Sequence, residues 1–257
     1  MRGERASMIM LLEESKRYLS YFEAESGEKL VWTKEETPYG TIPFAENGQV
    51  MWVSDIGRYY KAIAWLMDKY RPEGMGMVSK VGGINKLLSV GDIMLVSDYI
   101  DNTTCRPKSY LEKKDPNLKI RYIMNQPFCE QWKTDLKQYF VKHRKEFDGN
   151  IIDSGVYICT DGPGFESSAE IEAFRSWGAD IVGHWISPFV YYAREMDICL
   201  VSVAIVSNVF HKADKDMLND EITNQMFGKL FVAIAETKPC CKCECQIKNI
   251  LECEQYE

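Results

Sequence analysis

Apolar runs and amphipathic segments alternate along most of the chain. The apolar runs are short and rich in Val and Ile, as expected of strands buried on both faces. Between them, apolar residues recur at helical spacing, as Tyr60, Ile63 and Met67 do. Strands that alternate with helices predict an α/β layered fold. The predicted strands are Gln49–Ser54, Gly74–Val81, Asp92–Ile100, Ile151–Thr160, Ala179–His184 and Ile198–Asn208, and the predicted helices are Arg58–Tyr70, Glu130–Lys145, Ser167–Trp177 and Asn219–Glu236.

No internal repeat or low-complexity linker divides this pattern. The charged segment Lys108–Asn117 is predicted to be a surface loop. We therefore expect a single domain over residues 1–257, with a cysteine-rich tail at residues 237–257.

Composition narrows the class of protein. With 257 residues, 46% hydrophobic and 27% charged, the chain has the profile of a globular domain. Its formal net charge of -7 argues against nonspecific binding to nucleic acid, which requires a basic surface. The apolar run Met8–Leu12 is too short for a signal-peptide core, and no run approaches the roughly 18 residues of a membrane span. We expect a cytoplasmic protein that does not contact membranes.

The first chemical signal is the turn Asp161–Glu166, which lies between a predicted strand and the predicted capping box Ser167–Glu170. Its glycines permit unusual backbone angles and its proline fixes one. This geometry is able to direct Phe165 and Glu166 into a pocket, where the ring stacks on a purine and the carboxylate accepts hydrogen bonds from it. The alternative is a plain corner in which the helix dipole favours a glutamate.

The segment Gly155–Phe210 resembles the purine nucleoside phosphorylase and methylthioadenosine phosphorylase family, in its trimeric and hexameric branch. In that family Phe followed by Glu, as at Phe165 and Glu166, marks the 6-oxopurine enzymes, and Ser replaces the Glu in methylthioadenosine enzymes. Asn208 matches a second 6-oxopurine marker, where adenosine-type enzymes carry Asp. The resemblance implies a three-layer fold with a mixed central sheet and base binding by these three residues. It also implies a catalytic role for Asn208. Its amide would stabilise the leaving purine and raise the rate of bond cleavage by roughly 10²–10³.

Two segments depart from the family's phosphate site. Met8–Lys16 corresponds to a glycine-rich turn but contains no glycine, and its Glu13 and Glu14 would repel phosphate. A family loop with Arg and His is reduced here to Ser54–Arg58. We therefore expect a degraded phosphate site.

A third segment, the turn Ser79–Asn85, keeps the family's Gly-Gly-x-Asn pattern at its end. Lys80 stands where relatives carry Ala, and its ammonium either neutralises phosphate or fills the vacated space. Lys80 and Ser79 are the candidate phosphate-binding residues, and the alternative is a plain turn.

A fourth segment replaces the family's Met, its small hydroxyl residue and its Glu by His184, Trp185 and Phe189. His184 stands where a Met packs under the ribose, and Trp185 where a hydroxyl contacts phosphate. The resemblance therefore places both residues on the sugar side of the site. The alternative for a lone histidine is a satisfied core residue.

The resemblance implies a pentosyltransferase of purine salvage that cleaves purine nucleosides, with phosphate as co-substrate and without cofactor or metal. Asp101–Pro107 and Met124–Cys129 resemble segments at which family trimers meet, and Arg121 lies near a position that reaches a neighbour's pocket. We expect a homotrimer or a hexamer. Two alternatives remain: a non-catalytic nucleoside-binding or assembly-partner homologue, and a hydrolytic variant in which Lys80 or His184 positions water.

Five of the nine cysteines, Cys240, Cys241, Cys243, Cys245 and Cys253, lie near the end of the chain. Their spacing is too tight for the usual zinc pairs. A local disulfide, as in some archaeal relatives with a similar Cys-x-Cys element, and free thiols remain as alternatives, ahead of metal binding. The other four are expected to be small core residues.

Overall fold

A computed structural model describes residues 7–12, 17–115, 120–210, 218–237 and 250–252. In this part of the chain, nine strands form one mixed sheet in the order β10-β6-β8-β9-β5-β1-β4-β3-β2, and β7 pairs with β11 in a separate ribbon. The strands are β1 Met8–Leu12, β2 Val31–Thr37, β3 Gly40–Glu46, β4 Val50–Val53, β5 Gly74–Gly83, β6 Ile93–Asp101, β7 Ile120–Tyr122, β8 Ile151–Cys159, β9 Ile181–Gly183, β10 Cys199–Val209 and β11 Ile250–Glu252.

Helices cover both faces of the sheet, so the fold has three layers. Successive side chains of a strand point to opposite faces, and β1 shows this directly. Met8 and Met10 pack with α1, α4 and α7, whereas Ile9 and Leu11 pack with α2 and α6. The α/β fold with a mixed central sheet is therefore confirmed. The helices are α1 Arg17–Ser26, α2 Ile56–Tyr70, α3 Leu111–Lys114, α4 Glu130–Lys142, α5 Ser168–Ser176, α6 Phe189–Glu195 and α7 Asp220–Glu236.

Five strands of the sheet close into a ring. β10 pairs in parallel with β5 and antiparallel with β6, β6 and β9 each pair in parallel with β8, and β9 returns antiparallel to β5. The ends of β5, β9 and β10 are adjacent, because Gly82 of β5 is in register with both Val182 and Asn208. This junction carries the polar residues described below.

All six predicted strands and all four predicted helices are present, with ends that differ by up to three residues. The sequence did not predict β1, α1, the β2–β3 hairpin, β7, α6 or β11. The segment predicted as a charged loop contains the short helix α3, and its last residues lie outside the described range. None of the described helices is long and apolar enough to cross a membrane.

Candidate functional site

A cavity of about 360 Å³ lies where β5, β9 and β10 end. Its wall also includes Ser207 and Phe210 beside Asn208, and Asp220 and Thr223 at the start of α7. We call it the Asn208 cavity. Six of the seven residues proposed for the site from sequence line it: Lys80, Phe165, Glu166, His184, Trp185 and Asn208.

Three side chains on one side of the cavity form a continuous hydrogen-bonded chain. Thr160, the residue after β8, donates from Oγ1 to Oε1 of Glu166 at 2.8 Å. The same Oγ1 lies 2.8 Å from Nδ1 of His184. Thr160 is 8% exposed, while Glu166 and His184 are half-buried. The hydroxyl therefore connects the carboxylate predicted for the base to the imidazole predicted for the sugar.

A β-bulge sets the position of Asn208. Val206 is in register with Val81 and Asn208 with Gly82, so Ser207 is an extra residue in β10. Such a residue bends the strand and redirects the side chains that follow it. Ser207 Oγ lies 3.1 Å from Oδ1 of Asn208 and 3.2 Å from the carbonyl oxygen of Val81, so its one proton serves two acceptors. The Nδ2 amide group is the donor that Asn208 has for a ligand.

The turn between β8 and α5 presents both Phe165 and Glu166 to the cavity. Gly162 has a φ of +67°, a conformation that favours glycine, and a Cβ there would meet the His184 ring at an ordinary contact distance of 3.5 Å. The predicted capping box is confirmed, since Ser167 Oγ accepts from the Glu170 amide and Glu170 accepts from the Ser167 amide. Phe165 is 83% exposed, so its ring stands at the mouth of the cavity.

The two candidates for phosphate binding lie in different places. Lys80 of β5 lines the cavity and is the only Lys or Arg among its described lining residues. Ser79 is 2% exposed and is not part of the lining. Adjacent residues of a strand point to opposite faces, so the structure does not bring Ser79 to the other six. Glu13 and Glu14, also considered for this region, lie outside the described residues.

The Trp185 ring fills the space beside the start of α2. A Cβ at Gly57 would lie 2.2 Å from Cζ3 of this ring, a separation that real Cβ atoms do not show. The indole therefore occupies the space next to Ser54–Arg58, the segment predicted to retain only a remnant of a phosphate loop. Arg58, the possible remnant, is exposed and stacks over Tyr59.

Trp185 also lines a second cavity of about 390 Å³, which includes Gly57, Tyr60 and Phe189 in its lining. Two lining residues of this second cavity have buried oxygens without a hydrogen-bond partner among the described residues: Ser187 Oγ and Asp161 Oδ1. Its walls are otherwise largely apolar. The polar groups in the lining of this second cavity do not specify a ligand.

Arg106 fixes the turn that carries His184 and Trp185, and Asp161 anchors Thr104 in the segment that carries Arg106. Arg106 donates to the carbonyl oxygens of His184 and, at 2.6 Å, of Ser187. Asp161 Oδ2 accepts from both the amide and the hydroxyl of Thr104, at 2.8 and 2.7 Å. Burial opposes ionisation of Asp161, but the hydrogen bonds from Thr104 outweigh it and hold its pKa below the ordinary value.

The buried Cys159 does not supply a nucleophile. Burial raises the pKa of the Cys159 thiol to about 12, so it stays protonated at neutral pH. Cys129 and Cys199 are buried as predicted, but Cys105 is exposed, so that prediction was wrong for Cys105. Within the described residues, no group of three or more His, Cys, Asp and Glu side chains is arranged to hold a metal ion. The cluster Cys240–Cys245 and Cys253 lies outside the described residues.

Sequence reasoning did not identify Thr160, Arg106 or Gly57 as parts of the site. Thr160 and Arg106 each act through two or more hydrogen bonds to residues elsewhere in the chain, which no local spacing reveals. The signal available for Gly57 was its place in the shortened segment Ser54–Arg58, which leads into α2.

Comparison with known proteins gives the family context. The sequence model described as "Phosphorylase superfamily" matches residues 56–236, well over half of the chain. A 6-oxopurine nucleoside phosphorylase of Pyrococcus furiosus is 27% identical over 208 residues, covering 76% of this chain and 78% of the relative. An S-methyl-5'-thioadenosine phosphorylase of the same organism is 29% identical over 208 residues, covering 75% and 78%.

Among solved structures, a methylthioadenosine phosphorylase from an antarctic soil metagenomic library superposes with a TM-score of 0.74. It is 22% identical and the match covers 91% of this chain and 85% of the other. At this identity the likeness shows a shared fold, in agreement with the three layers and the mixed sheet.

Proposed function

The chain belongs to the phosphorylase superfamily, and on that premise we propose that it binds 6-oxopurine nucleosides in the Asn208 cavity and cleaves their N-glycosidic bond. Phosphate is the co-substrate in this proposal, and no cofactor takes part. The names of the relatives support purine nucleoside phosphorolysis in general: they cover both 6-oxopurine and thioadenosine substrates at nearly equal identity. The choice between these substrates therefore rests on the cavity.

One observation carries the proposal: Asn208 and Glu166 line the same cavity with complementary free groups. Glu166 Oε1 is engaged by Thr160, and Oε2 is left to accept the N1–H of hypoxanthine or guanine. Asn208 Nδ2 is left to donate to O6 or N7. A donor aimed at the purine stabilises the negative charge that develops on the base as the glycosidic bond breaks.

The sugar side of the proposed site consists of His184 and Trp185, and Phe165 at the mouth is the stacking surface for the base. Adenine has no proton on N1 and presents an amino group in place of O6. A site that uses Glu166 and Asn208 in this way leaves its own polar groups unpaired with adenine, which supports selection against it.

The phosphate site of the proposed enzyme is weak. Lys80 is the cation proposed to bind phosphate, but the Trp185 ring packs against Gly57 and leaves little room for phosphate. This packing favours slow phosphorolysis. It also favours the second candidate function, a homologue that hydrolyses the bond with water or that binds nucleosides without cleaving them.

The proposed assembly is a homotrimer or a hexamer built from two trimers, in the cytoplasm. The support is the resemblance of Asp101–Pro107 and Met124–Cys129 to segments at family trimer interfaces. Asn102, Thr104 and Cys105 of the first segment are exposed in the single chain.

The test of the function is release of base from inosine and guanosine by the purified full chain, with and without phosphate. The expected result is phosphate-dependent release of hypoxanthine or guanine together with ribose 1-phosphate. The Asn208→Ala variant serves as the control and is expected to lower the rate by about 10²–10³. Release without phosphate would assign the hydrolytic reaction. Binding without release would assign the non-catalytic role, and absence of both would refute the purine site.

A further inference from the structure

Thr160 Oγ1 lies within hydrogen-bond distance of both Glu166 and His184. We infer that Thr160 is a positioning residue that fixes which nitrogen of His184 carries the proton. This inference deepens the proposed function, and what it implies for nucleoside binding rests on that function. The hydrogen-bond geometry itself does not depend on a ligand.

The single proton of the Thr160 hydroxyl sets the direction of both hydrogen bonds. A threonine hydroxyl donates one hydrogen bond and accepts others. Thr160 Oγ1 gives its proton to Oε1 of Glu166, at 2.8 Å. Its contact with Nδ1 of His184, also 2.8 Å, is then a bond that the hydroxyl accepts. Nδ1 must therefore carry a proton.

The proton on Nδ1 decides what the other ring nitrogen is able to do. In a neutral imidazole only one nitrogen is protonated, so Nε2 of His184 is left as an acceptor. In the described part of the chain, no hydrogen bond engages Nε2. His184 therefore offers the Asn208 cavity an acceptor, which suits a ligand group that donates, such as a sugar hydroxyl.

The same hydroxyl orients the carboxylate. Because it binds Oε1, Thr160 leaves Oε2 of Glu166 for the base. Burial of Thr160, at 8% exposure, shields both bonds from exchange with water. One hydroxyl thus couples the group proposed for the base to the group proposed for the sugar, and the ligand class it selects is an intact 6-oxopurine nucleoside with free sugar hydroxyls.

The first test is the tautomer of His184 in the ligand-free protein, read from the 15N shifts of the imidazole in alkaline buffer, where imidazoles are neutral. The chain has three histidines, and the His184→Gln variant identifies the signals of this one. The expected wild-type spectrum shows a protonated Nδ1 and an unprotonated Nε2. A wild-type ring protonated on Nε2 would overturn the inference without any variant.

Two substitutions separate the hydroxyl from the volume of the side chain. Thr160→Ser keeps the hydroxyl and is expected to keep the wild-type tautomer. Thr160→Val keeps the shape and removes the hydroxyl, and we expect it to lose the fixed Nδ1–H form and to bind inosine about tenfold more weakly, a typical cost of a lost buried hydrogen bond. An unchanged tautomer in a folded Thr160→Val protein would sink the inference.

The same experiments distinguish failure of the Thr160 inference from failure of the proposed function. If inosine does not bind to the wild type but the tautomer follows the hydroxyl as expected, the positioning role of Thr160 stands and the purine proposal falls. If inosine binds equally well to wild type and Thr160→Val, the coupling falls and the purine site remains.

Discussion

Asn208 is placed by one extra residue in its strand. Ser207 bulges from β10, and its hydroxyl engages Oδ1 of Asn208. The sequence shows an Asn at a strand end, but no pattern of apolar positions reveals a bulge. The chemistry of the residue was predictable from its resemblance to a known motif, whereas its orientation required the pairing of β10 with β5.

Replacing Asn208 by Asp exchanges a donor for an acceptor at this position. We expect Asn208→Asp to weaken hypoxanthine binding at least about tenfold, because a carboxylate would then face O6, and to improve binding of adenine, whose amino group donates. Titration calorimetry with both bases measures the change. Asn219→Asp makes the same exchange at an exposed residue that does not line the cavity and whose oxygen still caps α7, so this control should retain the preference for hypoxanthine. An Asn208→Asp protein that still prefers hypoxanthine would contradict the role of the amide.

Trp185 limits the space for phosphate in the proposed account. Trp185→Ser is expected to raise the phosphate-dependent rate of base release about tenfold, equivalent to roughly 1.4 kcal/mol of barrier. The comparison variant is Trp177→Ser, since Trp177 is 54% exposed and does not line the cavity. Equal phosphate dependence in wild type and Trp185→Ser would show that the indole does not obstruct the site.

Six of the seven candidate site residues line one cavity because they lie near the ends of β5 and β10 or in the turns that follow β8 and β9. Ser79 did not, because alternation along β5 turns it to the opposite face. Thr160 was not predicted, because its role depends on two hydrogen bonds and not on a sequence motif. Sequence reasoning thus found the residues with a characteristic chemistry and missed the ones that orient them.

At the scale of elements, the predicted strands and helices are those with a clear apolar period. All seven residues of α6 are buried, so it has no polar face and no helical period to detect. β2 lies at the edge of the sheet and exposes Val31 and Trp32, so it lacks the apolar run of a central strand. Both elements depend on tertiary contacts that a local pattern does not contain.

Close approach of α1 and α7 depends on a glycine. A Cβ on Gly228 of α7 would lie 2.9–3.0 Å from the backbone of Tyr21 in α1. Gly228→Ala is therefore expected to destabilise the protein by about 1–3 kcal/mol, as overpacking does, although alanine favours helices. The midpoint of urea denaturation measures this. The matched control is Gly164→Ala, where a Cβ meets no atom within 4 Å, and its midpoint should stay near that of the wild type. Equal midpoints for the two variants would contradict the packing argument.

At the scale of the whole molecule, the proposed assembly makes a simple prediction. Sedimentation velocity at micromolar concentration should give the mass of three or six chains of 29.7 kDa. The expectation comes from the resemblance of Asp101–Pro107 and Met124–Cys129 to interface segments, and Arg106 and Thr104 already tie the first of these to the site. A single species with the mass of one chain would refute the assembly.

The central proposal is that the Asn208 cavity recognises a 6-oxopurine. Calorimetric titration of the purified full chain with hypoxanthine, guanine and adenine tests it directly, because binding does not depend on the state of the phosphate site. The account predicts that hypoxanthine and guanine bind at least about tenfold more tightly than adenine, since only they match the acceptor on Glu166 and the donor on Asn208. Equal or tighter binding of adenine, or no binding of any of the three, would contradict it.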